Sequence, residues 1–201
     1  MFWYSRSMST AATATAATPP KVSEARERLV RVASELFYRE GIHSVGMDRI
    51  LAEASVTRAT MYRHFSGKEA LVAAYLERED AVIRGYFSTD GDPAPAELVR
   101  LVIDGIADDI GRYHTRGCPF INAAAEYPDA TSEVRRIIER HREWFRSTLR
   151  DALVDAGVAD AETVAGSLVM LRDAALVGAY LDGVEVARPV FVATAHALAG
   201  L

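Results

Sequence analysis

Between Thr57 and His64 the side chains able to do chemistry are two guanidinium groups, three hydroxyls and an imidazole, with no acid among them. If a helix starts at Arg58 with Thr57 as its N-cap, Met61 and Phe65 fall four apart and bury one face. Arg58, Ala59, Thr60, Tyr62, Arg63 and His64 then point outward. Such a face offers donors to phosphate oxygens and to base edges, so the chemistry implied is the reading of a DNA major groove.

That face needs two supports. Upstream, Met47, Ile50, Leu51 and Ala54 recur at helical spacing while Asp48, Arg49 and Glu53 face out, and Val56 plugs the connecting turn. Two short helices about a three-residue turn make a helix-turn-helix. Gly46 and Met47 at the start of the first helix join the candidate DNA-contacting set, as does Lys68. Ser66-Gly67-Lys68-Glu69 reads as a capping box opening a long helix to about Phe87, whose N-terminal N–H groups and Lys68 could meet a phosphate. Before the pair, Ser23 can cap a bracing helix to about Glu40 that buries Leu29, Val32, Ala33, Leu36 and Phe37 and stops at Gly41.

From Arg28 to Leu71 the chain resembles the TetR family of bacterial regulators. The matching residues are Leu36-Phe37, Gly41, Ile50, Ala54, Val56-Thr57, Thr60-Met61-Tyr62, His64-Phe65 and Lys68-Glu69-Ala70-Leu71. The resemblance implies a homodimeric repressor that leaves a palindromic operator in double-stranded DNA when a small-molecule effector binds. Three positions depart from the family pattern. Ser55 stands where a Gly is usual, at a helix exit that often needs positive φ. Gly46 replaces a capping Ser or Thr, and Leu51 replaces a small Ala.

The net charge of −5 hides an asymmetry. Lys21 to Lys68 holds nine Lys/Arg against six Asp/Glu, whereas Glu69 onward holds 13 against 22. The modest basic excess sits with the helix-turn-helix. The single cysteine, Cys118, excludes an intramolecular disulfide and fits a reducing cytoplasm. Apolar runs are broken by charge or Gly before the length of a membrane span, so none is expected. No Gly-rich phosphate loop, metal-ligand spacing or nucleophile motif is present, so neither an enzyme, a metal nor a cofactor is expected. Catalysis by scattered residues and a protein-interaction module are the rival classes.

Residues 1–20, Ala/Thr-rich and ending in Pro19-Pro20, are expected to form a disordered arm, with residues 21–66 the DNA-binding domain and 67–201 an effector-binding and dimerisation domain. After a loop at 88–95, helices are expected from about Ala96 to Tyr113, Cys118 to Tyr127, Ser132 to Ala156, Ala161 to Leu181 and Pro189 to Leu198. The fold class is therefore all-α, of about nine helices.

In the middle helices Tyr113, Phe120, Asn122 and Tyr127 mix apolar surface with polar tips, as do His141, Trp144, Phe145 and Met170. They are candidate effector-lining residues, with ordinary core packing as the alternative. His141, four before Phe145, is the polar candidate of choice. Cys118 follows Arg116 and His114 and could serve as a redox or electrophile sensor, or as a small buried hydrophobe. Six arginines between Arg135 and Arg150 alternate with Glu133, Glu139 and Glu143, each three before an Arg, and read as a paired, solvated face. The last two helices suggest a dimer seam through Leu168, Leu171, Ala175 and Gly178 of one and Phe191 and Ala195 of the other. The alternative is that both stripes pack within one chain.

Overall fold

The computed structural model describes residues 23–87 and 93–201. The Ala/Thr-rich arm and positions 88–92 lie outside the described residues. Among the described residues there are nine helices and no strand: α1 Glu24–Glu40, α2 Met47–Ala54, α3 Arg58–Tyr62, α4 Lys68–Tyr86, α5 Pro95–Arg112, α6 Pro119–Glu126, α7 Glu133–Asp155, α8 Ala161–Asp182 and α9 Val184–Ala199. The first three form a compact head on the N-terminal end of α4. The C-terminal body packs α4, α5, α7, α8 and α9 together, with α6 between α7 and the head.

The head is held by the stripes that the sequence marks. Leu29, Leu36 and Phe37 of α1 are buried in one core with Ile50 of α2 and Met61 of α3. The Phe37 ring lies 6.0 Å from that of Tyr75, which ties the head to α4. Gly41 ends α1 with φ of 91°, its N–H donating to the Phe37 carbonyl. At Thr57 the hydroxyl accepts the Thr60 N–H at 3.2 Å, the cap that fixes where α3 starts. Ser55 leaves α2 in the left-handed region, with φ 51° and ψ 46°. A Cβ there costs about 1 kcal/mol. Ser55→Gly is therefore expected to stabilise the protein by roughly 0.5–1 kcal/mol, the relief of strain exceeding the entropy of the added glycine. A urea midpoint that did not rise would show the strain to be absent.

Several local expectations are corrected. Ser23 is the N-cap of α1, but its hydroxyl makes no cap bond and meets His64 Nε2 at 3.3 Å. The capping box at Ser66 does not form: α4 begins one residue later, with Gly67 as N-cap and no side-chain cap bond, so Glu69 falls at the second helical position rather than the third. Helix α9 does not wait for Pro189. It starts at Val184, because Gly183 at φ 97° lets the chain reverse directly out of α8, and Pro189 sits inside it. An internal proline costs about 3 kcal/mol. Burial of Phe191 and Ala195 against the body and the grip of Arg188 on the Ala107 carbonyl at 3.2 Å oppose that cost.

In α7, Glu133 pairs with Arg136 at 2.8 Å and Glu143 with Arg146, but Arg142 turns to Asp173 of α8 at 2.8 Å rather than to Glu139. Long-range packing overrides the local pairing. Helix α8 is long and apolar enough to cross a membrane by length and composition alone, although Gly166, Arg172, Asp173 and Gly178 interrupt its apolar run. Here it packs between α7 and α9.

Candidate nucleic-acid interface and interior cavity

The outer face of α3 is built from side chains with few internal commitments. Thr57, Arg58, Ala59, Tyr62 and Arg63 are exposed, Tyr62 by 55%. Arg63 Nη2 donates to Thr60 Oγ1 at 2.9 Å, and Thr60 in turn accepts from the Thr57 hydroxyl, also at 2.9 Å. A short hydrogen-bonded chain thus orients the guanidinium along the helix. Arg58 pairs with exposed Asp48 on α2, so an acid does border the face, although none lies within it. Gly46 is exposed and Met47 half-buried at the start of α2. His64 is held half-buried toward Ser23. Lys68 is the member that faces inward: it is half-buried, with Nζ 5.9 Å from the Phe37 ring centroid, and burial lowers its pKa against the raising effect of Glu126.

Other basic residues of the head serve the fold. Arg28 Nε donates to the Ala54 carbonyl at the end of α2, and Arg49 bridges Glu40 and Glu53. On the outer face of α3, Arg63 meets a hydroxyl, Thr60 Oγ1, rather than a carboxylate.

A second set of contacts, absent from the sequence reading, fastens the head to the body. Glu126 at the end of α6 accepts from the N–H groups of Ile42 and His43 at 2.7 and 2.6 Å, and its carboxylate lies 2.9 Å from His43 Nδ1. Burial works against its charge, yet these bonds hold its carboxyl below the usual carboxylate range. Nearby, Tyr38 donates to the Gly117 carbonyl at 3.0 Å and accepts from the Arg116 N–H at 2.7 Å. The partners lie 78 to 84 residues apart in the chain, so no local spacing signals them.

In the body, a cavity of about 50 Å³ lies between α4, α5, α7 and α8. Of the eight candidate effector residues, Phe145 lines it. Phe120 is buried and stacks on His141 with ring centroids 3.7 Å apart. His141 Nδ1 meets Asp80 Oδ1 at 2.8 Å, while its Nε2 is buried without a hydrogen-bond partner among the described residues. Trp144 stands against Phe87 and under Arg84, at 5.3 and 4.1 Å. The remaining four are elsewhere. Tyr113 is exposed and stacked on Tyr86, Asn122 donates to the Arg116 carbonyl, Tyr127 stacks on His43, and Met170 is 67% exposed. The polar wall residues that the sequence reading missed are Arg172 and Asp109. An Arg-Asp pair interrupting the apolar run Ser167 to Leu181 was the available signal for Arg172. Cys118 is 1% exposed and is contacted by Arg172, whereas Arg116 and His114 turn to Tyr38 and Asp109.

Residues 29–75 match the profile described as bacterial regulatory proteins, tetR family, and residues 95–189 that of the tetracyclin repressor-like C-terminal domain. The crystal structure of SCO4454, a TetR-family transcriptional regulator from Streptomyces coelicolor, superposes with a TM-score of 0.83 at 44% identity, covering 88% of this chain and 94% of that one. The chain belongs to the TetR family. Among curated relatives, the HTH-type transcriptional activator FasR of Mycolicibacterium smegmatis is 41% identical over 63 residues, a stretch spanning 31% of this chain and 29% of FasR. The chain thus matches under a third of that curated relative's length. Bacillus subtilis YxaF is 23% identical over 143 residues, 69% of this chain and 75% of YxaF.

Two buried histidines in the body of this TetR-family chain respond to pH with opposite signs. Burial opposes a charged His114, but Asp109 at 2.5 Å and Glu79 at 3.8 Å outweigh it and push its pKa up to about 9. Its contribution to stability is complete below the ordinary value of 6.5 and is lost as pH rises through about 9. Burial drives His141 down to about 4, against its hydrogen bond to Asp80. Between about 6.5 and about 4 the unfolded chain takes up a proton that folded His141 refuses, so stability falls as pH drops through that window. The melting temperature is expected to peak near neutrality and decline on both sides, and His114→Gln to flatten the alkaline limb. An alkaline limb of equal slope in the variant would remove His114 as its source.

Proposed function

We propose that the protein is a DNA-binding transcriptional regulator acting as a homodimer, a repressor that a small-molecule effector releases from its operator. The observation that carries this reading is the acid-free, exposed face of α3 from Thr57 to Arg63, set on buried Met61 and capped by Thr57. A short helix presented this way fits a major groove, with Tyr62 and Arg63 offered to base edges and phosphates. The body, not the head, supplies the effector site. Its cavity takes Ile83, Tyr86 and Phe87 from the far end of α4, the helix whose near end supports the head. An occupant that enlarges the cavity displaces α4 and with it the spacing of the two heads. To clear an occupied operator it must favour the released state by a few kcal/mol, about 10²-fold to 10⁴-fold.

The dimer rests on surface that one chain leaves uncovered. Leu168, Ala175, Phe191 and Ala195 are buried within the chain, Leu171 is half-buried, and Gly178 faces Ala187 of α9. The outward stripes are instead Met170, Ala174, Val177 and Leu181 on α8 and Val186, Val190, Ala193 and Ala197 on α9, each with three- and four-residue spacing. Two apolar stripes side by side match the four-helix packing of a two-fold dimer. Such a dimer would present two α3 helices to half-sites about one DNA turn, ~34 Å, apart or somewhat more.

Sequencing genomic DNA fragments selected by the purified protein at two salt concentrations tests the reading. A short palindrome retained at the higher salt is the expected result. Sequence-blind, salt-sensitive binding alone would overturn it in favour of an interaction module.

A further inference from the structure

The cavity of the body opens partly to solvent, at Tyr86 and Leu101. Its wall is mostly apolar, with Ile83, Phe87, Leu98, Val102, Ile106 and Phe145 on it, but Arg172 of α8 also borders it and is only 3% exposed. A guanidinium so deeply buried needs compensation, since an uncompensated charge in low dielectric is expensive. Its compensation is shared. Arg172 Nη1 donates to Asp173 Oδ1 at 3.3 Å and to Cys118 Sγ at 3.4 Å, yet Asp173 lies closer to Arg142, at 2.8 Å. One carboxylate therefore serves two guanidinium groups, and the buried one holds it less closely. The acid on the wall, Asp109, is 2.5 Å from His114, a histidine that carries its proton at neutral pH. Of the lining residues Arg172 is the cation, and its nearest carboxylate is one that Arg142 holds more closely.

We propose that the effector is a compact, predominantly apolar carboxylic acid, bound as its carboxylate against the Arg172 guanidinium with its hydrocarbon part among the apolar residues of α4, α5 and α7. The assignment rests on the effector-controlled reading above and gives that effector its chemistry. A guanidinium matches a carboxylate in shape and charge, and the match is strongest where water is excluded. The present cavity is small, about 50 Å³, so an acid of several carbons enters by widening it. Gly105 lies on the wall at its exposed side, and a Cβ built there meets nothing within 4 Å, so a larger side chain has room at the mouth.

The test is calorimetric titration of the intact protein, without DNA, using butanoate through decanoate and benzoate, each beside its primary amide. At least one carboxylate is expected to bind and raise the melting temperature, with its amide weaker by about 10-fold to 100-fold, the worth of a charge-assisted hydrogen bond. Arg172→Met is expected to erase the preference for acid over amide, and Gly105→Leu to block both. The comparison of acid with amide on the unaltered protein stands even if a variant fails to fold. Amides binding as well as acids, or no carboxylate binding at all, would overturn the proposal. Affinity for the selected operator, measured separately on the ligand-free protein, reports on the regulator reading alone. A protein that binds benzoate but no operator would sink that reading and leave the carboxylate site standing.

Discussion

The double substitution Tyr62→Ala, Arg63→Ala is expected to weaken operator binding by about 100-fold or more while leaving the melting temperature unchanged. Each side chain that reads a base edge well is worth about 1–3 kcal/mol, and two lost together multiply into that range. The fold has little stake in either. Tyr62 is 55% exposed, and Arg63 spends its bond on Thr60, at the surface of the same short helix. Gel-shift titrations at several salt concentrations also separate their roles. Loss of a phosphate contact shallows the salt dependence by about one charge, and loss of a base contact leaves it in place. Unaltered affinity would mean that α3 is not the reading helix.

Placing a carboxylate in each outward stripe, as in Val177→Glu with Val190→Glu, is expected to convert a dimer to monomers and to reduce operator affinity by about 100-fold or more, because two linked half-sites become one. In a lone chain Val177 is already 40% and Val190 60% exposed, so the substitutions cost the monomer little. At a two-fold seam the same carboxylates would be buried against apolar partners and their own copies, at the cost of desolvating charge. Sedimentation of the variant and the native protein side by side gives the answer. A variant that stays dimeric would place the interface on another face. The same substitutions at Leu168 and Phe191 would be uninformative, since both are buried within the chain and their loss would unfold it.

These two experiments differ in how much of their rationale was readable from the residues. The head was legible because its determinants are local. Met47, Ile50, Leu51 and Ala54 define one face, Thr57 caps the next helix, Gly41 stops the first, and Ser55 occupies the left-handed position that its neighbours demand. Each depends on residues within about one helical turn, where spacing dictates geometry. Even there, the Ser23 and Ser66 caps did not form as expected, since a hydroxyl can exchange its local N–H for another partner such as His64 and a helix start can slip by one residue.

In the body, the chain itself determined that there would be helices and roughly where, but not which way they face. Helices α8 and α9 are apolar around much of their circumference, so periodicity singles out no face. Only the packing of α8 against α7 and α9 assigned Leu168 and Phe191 inward and Val177 and Val190 outward. Packing likewise carried α9 back past Pro189 to Gly183, turned Arg142 from Glu139 to Asp173, and set Lys68 against Phe37. It also brought together residues far apart in sequence, joining Glu126 to Ile42 and His43 and setting Arg172 beside Asp109 on one cavity wall. Local structure follows from a residue's immediate neighbours along the chain, whereas a buried charge, a latch between domains or an open surface exists only once separate helices have chosen their partners.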